Sequence, residues 1–265
     1  MGSILKSKLI KTLGVVTLGA FVFLACESED RATETAEAED VPVNTLTDEE
    51  IEEGWVLLFD GETTDGWRGY NADAFPEGGW EIEDDGSLRV IGTGMGEAGG
   101  EGGDIIYDQE FHNFRLSLEW KVSEGGNSGI FYLAQEIEDT PIWQSAPEMQ
   151  ILDNERHPDA ELGVDGNRKA GGLYDLIPAN PQNTKPAGEW NHAEVMVYRG
   201  TVVHFQNGES VVEYHLGTPE WERMVENSKF AEYEEFGKNR PGYIGLQDHG
   251  DDVWFRNIKI REMEY

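Results

Sequence analysis

Short stretches in which apolar and polar residues alternate, separated by glycine-rich turns, constrain the fold of this chain more than any other feature. Between Phe114 and Val122 the apolar residues Leu116, Leu118 and Trp120 alternate with charged or hydroxyl side chains. Because successive side chains of a β-strand point to opposite faces, this pattern predicts a strand with one buried face.

Similar short segments recur from Gly54 onward, without a long stretch of helical periodicity. The segments 79–83 and 87–90 flank Asp84-Asp85-Gly86, which predicts a hairpin. Residues 218–236 are charged with spaced apolar side chains, and they predict a short helix and loop over one end of the molecule. The pattern as a whole predicts an all-β, antiparallel two-sheet sandwich of the jelly-roll type. The other predicted strands are 55–59, 129–134, 148–152, 194–198 and 202–205.

The charge of the chain limits its partners. Lysine and arginine total 20 against 53 aspartate and glutamate residues, which gives 20 − 53 = −33. A surface this acidic repels nucleic acid phosphates and anionic lipid, so neither is an expected partner.

The N-terminus predicts export. Lysines precede an apolar stretch, residues 13–24, that ends at Ala25 and at Cys26, the only cysteine in the chain. This arrangement resembles a bacterial lipoprotein signal over residues 1–26, with Cys26 lipidated and the protein anchored at a membrane, facing the periplasm or the cell surface, with the outer membrane as the expected location. The alternative is an ordinary signal peptide with an incidental cysteine. Residues 27–53 hold twelve acidic residues and one basic residue, which predicts a disordered acidic tether before a domain at 54–265.

The C-terminal segment 242–262 predicts two strands around a turn at 250–252. Alternation places Gln247 and His249 on one face of the first strand and Trp254 and Arg256 on one face of the second. If these faces coincide, amide, imidazole, guanidinium and aromatic groups form a surface suited to sugar. The alternative is a solvated outer face.

A second polar pattern lies at residues 147–154. Glu148 and Gln150 alternate with Met149 and Ile151, so the glutamate and glutamine are expected on the face opposite the core, which either lines a site or meets water. Glycosidases ordinarily use two carboxyl groups. The alternation continues to Leu152, so the usual second carboxyl is absent from this strand.

The remaining candidates are aromatic or polar residues near predicted turns. Trp143 and Tyr174 offer stacking surfaces, Asn127 follows a Gly-Gly pair, and His204 is expected to be an ordinary strand histidine. The sequence shows neither a zinc-ligand spacing nor a dinucleotide-binding fingerprint, so no metal and no cofactor are predicted, although calcium at acidic loop residues stays open. Those loop residues are Asp248, Asp251 and Asp252.

Taken in order, several of these segments resemble the family of 3-keto-disaccharide (3-keto-glycoside) hydrolases. The resemblance covers residues 54–265 and implies a concanavalin-like jelly-roll sandwich, often carried by exported lipoproteins. It also implies cleavage of a glycoside or oligosaccharide whose C3 has been oxidised by a separate sugar 3-dehydrogenase. The matching segments are 58–61, 66–67, 103–106, 126–132, 147–153, 188–191, 207–208, 245–250 and 255–258.

A 3-keto sugar needs only one base, because the ketone acidifies the C2 proton and the C1 substituent then leaves by β-elimination. Our hypothesis gives the base and acid roles to Glu148 and His249, in either order. The alternative hypothesis is a non-catalytic carbohydrate-binding or adhesion module. A conventional glycanase with an unusual nucleophile is the third and least favoured hypothesis. The expected substrate-binding residues are Asn127, Trp143, Gln150, Tyr174, Gln247 and Arg256.

Overall fold

The structure is a computed structural model and describes residues 41–94 and 102–264. The predicted signal peptide, Cys26 and the first part of the predicted tether lie outside these residues. Within the described ranges, no helix combines the length and the apolar character needed to cross a membrane.

The described residues form two antiparallel β-sheets that pack against each other, which confirms the predicted all-β jelly-roll sandwich. The first sheet has eight strands in the order β11-β10-β9-β6-β13-β4-β3, with β1 beside β13, and the second has five in the order β2-β5-β12-β7-β8. The strands are β1 (Val56–Leu57), β2 (Trp67–Gly69), β3 (Trp80–Ile82), β4 (Leu88–Val90), β5 (Ile105–Phe111), β6 (Phe114–Val122), β7 (Asn127–Ala134), β8 (Glu148–Leu152), β9 (Asn191–Tyr198), β10 (Thr201–Gln206), β11 (Glu209–His215), β12 (Gly242–Leu246) and β13 (Val253–Glu262).

The core lies between the sheets and follows the alternation of the sequence. Leu116, Leu118 and Trp120 of β6 are buried in it, and Met149 and Ile151 of β8 approach from the other sheet. Each such side chain contributes roughly 1.5–3 kcal/mol relative to exposure in water. The sandwich is therefore held mainly by apolar packing.

Helices are few and short in the described chain. The helix α1 (Asp48–Glu52) begins with a capping box at Thr47, and α2 (Pro219–Glu226) is capped by Thr218. The helix α2 and the 3₁₀ turn Lys229–Glu232 lie within the region predicted to contain a helix and a loop. Two further 3₁₀ turns span Ile142–Gln144 and Pro158–Glu161.

The prediction of a disordered tether up to residue 53 is wrong for residues 41–53. Asn44 is buried and exchanges two hydrogen bonds with Asn257, of 2.6 and 2.7 Å, and Glu50 pairs with Lys259. Arg261 also donates to Glu53 at 2.7 Å. The composition of the segment is indeed too polar to form a core, but its amide and carboxylate groups find matching partners on β13.

The predicted hairpin at the C-terminus is also wrong, because β12 belongs to the five-stranded sheet and β13 to the eight-stranded sheet. The connection crosses between the sheets and is held at both ends. Backbone N–H groups of Gly102 and Gly103 donate to Asp248 at 3.0 and 3.1 Å, and Arg89 donates to Asp252 at 2.7 Å. Residues that alternation placed on one face therefore lie on opposite sides of the molecule.

Candidate active site

A cavity of about 110 Å³ lies on the outer face of the five-stranded sheet, over strand β8 and beside the start of β7, where the chain leaves β12. It brings together seven of the eight residues that the sequence nominated for proton transfer or substrate binding. The described residues that line it are Asn127, Trp143, Glu148, Gln150, Tyr174, Lys229, Gln247 and His249.

Strand β8 supplies the two polar side chains at the centre of the cavity. Met149 and Ile151 enter the core, so Glu148 and Gln150 point the other way, as the alternation predicts. Their exposed fractions are only 7% and 1%. This face of the sheet does not simply meet water, because other parts of the chain enclose the polar side chains.

The outer edge of β8 is covered by residues 171–174. The N–H of Gly171 donates to the carbonyl of Gln150 at 2.8 Å, and the N–H of Tyr174 donates to the carbonyl of Glu148 at 3.0 Å. This pairing places Tyr174 directly beside Glu148. The Tyr174 hydroxyl donates to Asp159 at 2.8 Å, and burial, followed by this hydrogen bond, raises the pKa of Tyr174.

Strand β7 is shaped to accept Glu148. A Cβ atom at Gly129 would lie 2.0 Å from Oε1 of Glu148, so a glycine is needed where the carboxyl group crosses the neighbouring strand. On the same strand Asn127 accepts a hydrogen bond from Nε2 of Gln150 at 3.0 Å. The segment 127–129 is therefore the start of strand β7.

Gln247 and His249 enter the cavity from the end of β12. The Gln247 N–H donates to the carbonyl of Gly129 at 3.0 Å, and the Ser128 hydroxyl donates to the carbonyl of Gln247 at 2.8 Å. The Asp248 carboxylate accepts from three backbone N–H groups, which fixes the turn that carries His249. Asp248 is thus a structural residue, fully occupied by the backbone.

His249 lies among ionisable neighbours. Its Nδ1 is 3.7 Å from a carboxylate oxygen of Asp251, and its ring centroid is 5.9 Å from that of His157. Burial, followed by the proximity of His249, lowers the pKa of His157. The Nδ1 of His249 is buried and has no hydrogen-bond partner in the described chain.

Two sets of side chains could hold a metal ion. Ligand atoms of His157, His249 and Asp251 all lie within 4.8 Å of one another, a nitrogen-rich set of the kind that zinc and related ions prefer. The Oε1 atoms of Gln150 and Gln247 are buried without a hydrogen-bond partner in the described ranges and lie beside Glu148, an oxygen set of the kind that calcium takes. Neither set shows a metal-ligand spacing in the sequence, because the residues of each set come from segments far apart in the chain.

Glu148 is the one carboxyl group among the described residues that line the cavity. The nearest alternatives in the sequence are engaged elsewhere. Asp153 accepts from the backbone N–H groups of Gly125 and Glu155, while Arg168 pairs with both Asp159 and Asp175. Gln150 occupies the place where a second acid would stand on β8. The arrangement therefore offers one carboxylate, one imidazole and several amides.

Arg256 does not belong to this cavity. It lies on the outer face of the eight-stranded sheet, where it donates to Glu119 at 2.7 Å and its Cζ stacks 4.0 Å from the ring of Trp190. The prediction that Arg256 binds substrate with Gln247 and His249 relied on a hairpin that does not exist. Since β12 and β13 lie in different sheets, the guanidinium faces away from the site.

Behind the cavity, a buried hydrogen-bond chain fixes the wall formed by residues 171–174. Nδ1 of His204 lies 3.1 Å from the carbonyl of Gly171, which can only accept, so this nitrogen carries the proton. Burial lowers the pKa of His204 to about 4, so its Nε2 accepts from the Tyr132 hydroxyl at 2.7 Å. The Tyr132 oxygen in turn accepts from Tyr214 at 2.7 Å. The sequence predicted an ordinary strand histidine, either hydrogen-bonded or exposed, and His204 is the first of these: buried, with both ring nitrogens hydrogen-bonded.

Comparison with known proteins identifies the family of this chain. The model of a family described as the 3-keto-alpha-glucoside-1,2-lyase-like domain matches residues 54–261, which is most of the chain. The chain belongs to this family. The resemblance seen in the sequence is thereby confirmed, and its matching segments contribute five residues of the cavity: Asn127, Glu148, Gln150, Gln247 and His249.

Relatives cover the same region. A 3-keto-disaccharide hydrolase of Bacteroides thetaiotaomicron is 53% identical over 232 residues, which covers 80% of this chain and 79% of the relative. A crystal structure of a protein from Parabacteroides distasonis, provisionally named a glycosyl hydrolase, is 30% identical. It superposes with a TM-score of 0.73 over 84% of this chain and 100% of the other. A second structure from that organism, with the same provisional name, is 27% identical with a TM-score of 0.58, covering 79% and 99%.

Two residues at the site, Lys229 and His157, were not predicted from the sequence. Lys229 lines the cavity from the 3₁₀ turn after α2, a region that the sequence marked only as a cover for one end of the sandwich. His157 lies in the loop after β8, next to a proline and among charged residues, and resembles ordinary surface. Neither residue is part of an alternating strand or of a segment that carries the family resemblance.

Proposed function

We propose that this protein cleaves the glycosidic bond of 3-keto-glycosides, including 3-keto-disaccharides, by elimination followed by hydration. The observation that carries the proposal is the cavity with a single carboxylate, Glu148, facing an imidazole, His249. Membership of the 3-keto-alpha-glucoside-1,2-lyase-like family and the name of the Bacteroides relative support the same substrate class.

A single carboxylate suits this chemistry better than ordinary glycoside hydrolysis. The common mechanisms place two carboxyl groups on either side of the scissile bond. A ketone at C3 removes that need, because the C2 proton becomes acidic and the resulting enolate expels the substituent at C1. Water then adds across the C1–C2 double bond and gives the free 3-keto sugar, with no glycosyl-enzyme intermediate.

Glu148 and His249 are the groups proposed to move protons, since each lines the cavity and since carboxyl and imidazole groups are common general acids and bases. The amides of Asn127, Gln150 and Gln247 would hold hydroxyl groups and the keto oxygen. The Oε1 atoms of Gln150 and Gln247, buried without a hydrogen-bond partner among the described residues, gain most from a polar ligand, because an unpaired buried polar group costs about 1–3 kcal/mol. Trp143 and Tyr174 would supply stacking surfaces for the sugar ring.

The proposed route needs no redox cofactor in this protein, because the substrate arrives already oxidised by a separate sugar 3-dehydrogenase. A divalent ion is a different matter, since the histidine–aspartate and amide–carboxylate sets could each hold one. Turnover should therefore be measured after treatment with a chelator and again after addition of calcium or zinc. Activity restored by calcium would implicate the oxygen set, and activity restored by zinc would implicate the histidine set.

The test of the proposal is a substrate pair: a 3-keto-disaccharide and the same disaccharide without the oxidation. We expect cleavage of the keto substrate only. When the reaction is run in D₂O, elimination and hydration should leave one deuterium at C2 of the product, whereas direct displacement at C1 leaves none. The free 3-keto product incubated without enzyme controls for spontaneous exchange.

Two outcomes would overturn the proposal. A preference for the unoxidised disaccharide would identify an ordinary glycosidase. Cleavage of neither substrate, together with saturable binding of one of them, would identify a carbohydrate-binding module.

A further inference from the structure

Lys229 lies between two cavities. It lines the cavity that holds Glu148 and His249, and it also lines a second one of about 610 Å³ between α2 and the loop that precedes Tyr174. Lys229 is the only residue that both described linings share. The second cavity mixes polar side chains, such as Asn167, Arg223 and Asn227, with the apolar Leu176 and Met224.

The ammonium group of Lys229 is held by aromatic rings rather than by carboxylates. Its Nζ is 4.1 Å from the ring centroid of Tyr174 and 5.8 Å from that of Trp143. Both rings line the first cavity. No carboxylate oxygen of the described residues lies within ion-pair distance of Nζ, so its N–H donors are available to a ligand. Such cation–π contacts fix the position of an ammonium group without consuming its hydrogen bonds.

The backbone that carries Lys229 is anchored from the interior. The next residue, Phe230, is buried and stacks on Phe236 with ring centroids 4.0 Å apart, and Phe236 stacks on Trp221. The Ser228 hydroxyl caps the turn by accepting from the Phe230 N–H at 3.1 Å. The side chain remains accessible to solvent along part of its length, so a proton that it donates can be replaced from water.

We propose that Lys229 is the acid that protonates the departing oxygen, and that the second cavity receives the leaving group. The inference rests on the proposed function and deepens it. If the 3-keto ring occupies the first cavity and the leaving group the second, the bond between them lies beside the residue common to both. Arg256, the positively charged residue that the sequence predicted for the site, lies on the other sheet. Lys229 is the one lysine or arginine among the described residues that line the first cavity.

The assignment divides the proton transfers between the two sides of the bond. Glu148 or His249 removes the C2 proton, and the electron pair of that C–H bond becomes the C1–C2 double bond as the C1–O bond breaks. The oxygen of the leaving group keeps the electrons of the broken bond and takes a proton from the Lys229 ammonium. In the hydration step the other member of the Glu148–His249 pair takes a proton from the water that adds to C1, and the first base protonates C2 after exchanging its own proton with solvent. The second base then releases its proton to solvent, and Lys229 takes one up.

The surroundings of Lys229 agree with this role. Desolvation by the surrounding protein lowers the pKa of Lys229 from its ordinary value, although the charges of Asp175 and Glu148 oppose the shift. A less basic ammonium is a better donor to a developing alkoxide at neutral pH.

The experiment compares two 3-keto-glycosides that share a sugar and differ in the leaving group: an alkyl or glycosyl alcohol, which needs protonation, and 4-nitrophenol, which leaves without it. We expect Lys229→Met to lower kcat/KM by about 10²–10⁴ on the first substrate and by much less on the second. Lys238→Met is the matched control, because Lys238 is exposed in the same region and should change neither rate. Thermal melting of both variants checks that they are folded.

Equal losses on the two substrates, or no loss on either, would overturn the role of Lys229 as leaving-group acid while leaving the proposed function intact. Equal losses would point instead to a contact with the enolate oxygen, which both substrates form. A wild-type protein that cleaves neither substrate would overturn the proposed function itself, and the inference with it.

Discussion

The outer faces of the two sheets carry the same kinds of residue and use them in opposite ways. On the eight-stranded sheet, Arg89 and Lys121 lie on either side of the Trp254 ring, and Lys121 and Arg256 lie over Trp190. Glu119 accepts from Arg256 there. On the five-stranded sheet, a cavity encloses Glu148, His249 and the two glutamines. The Oε1 atoms of Gln150 and Gln247 and Nδ1 of His249 have no hydrogen-bond partner in the described chain.

The difference lies in hydrogen bonding and desolvation rather than in composition. On the first face most cations have a carboxylate partner and remain near water, so the arrangement stabilises the protein slightly and leaves nothing for a ligand to bind. On the second face, polar groups are withdrawn from water without full compensation, which costs free energy in the absence of a ligand. An uncompensated polar cluster is therefore the better marker of function than an abundance of sugar-compatible residues.

The largest effect that would test this contrast is on catalysis. Glu148→Gln and His249→Ala should each lower kcat on a 3-keto-glycoside by about 10²–10⁴, because each removes a proton-transfer group. Glu119→Gln, the equivalent change on the other face, should leave kcat unchanged. Near wild-type turnover by folded Glu148→Gln and His249→Ala variants would contradict the proposed proton-transfer role of these two residues.

The second prediction concerns the interior between the two faces and is an effect on stability. The pKa of His204 is about 4 in the folded protein against about 6.5 in an unfolded chain, so below pH 6.5 the unfolded state binds the additional proton. The free energy of unfolding should therefore fall by about 3 kcal/mol as the pH is lowered from 6.5 to 4. Urea unfolding measured across this range should show the loss in the wild type.

His204→Gln should make that pH dependence shallower, whereas His215→Gln, which alters an exposed histidine, should not. The comparison of slopes is robust to any constant destabilisation by the substitution. An unchanged slope in the His204→Gln variant would mean that this histidine is not held neutral in the folded protein.

The smallest expected effect is that of a substitution on the outer face of the eight-stranded sheet. Arg256→Ala removes a partly buried ion pair at the rim of solvent and a cation–π contact, so it should lower the free energy of unfolding by only about 1 kcal/mol. The kcat/KM of the variant should stay within about twofold of wild type. A large loss of activity with little loss of stability would show that Arg256 reaches the substrate after all.

Much of the fold could be predicted from the sequence, because alternation over β6 and β8 reflects directly which side chains enter the core. The same rule placed Glu148 and Gln150 opposite the core, and the resemblance to a known family joined them to Gln247 and His249. Strands β5 and β11 were not among the predicted strands, since charged or polar residues occupy much of each.

The errors arise where structure depends on partners distant in sequence. Alternation correctly predicted that Gln247 and His249 face away from the core. It cannot predict which sheet the next strand will join, so Arg256 was wrongly predicted to lie beside them. The acidic segment 41–53 resembles a tether until Asn257 and Lys259 are known to lie beneath it. Lys229 was missed because a lysine in a short 3₁₀ turn carries no periodic signal.

The stacked rings behind Lys229 continue further than the site itself. Trp221 stacks on Tyr214 with centroids 5.0 Å apart, and the hydroxyl of Tyr214 begins the hydrogen-bond chain that ends at Gly171 beside β8. One column of stacked rings thus supports two walls of the candidate site, the turn that carries Lys229 and the segment at Gly171. A change in the size of Trp221 would therefore alter the shape of the cavity from the interior, without changing any residue that lines it.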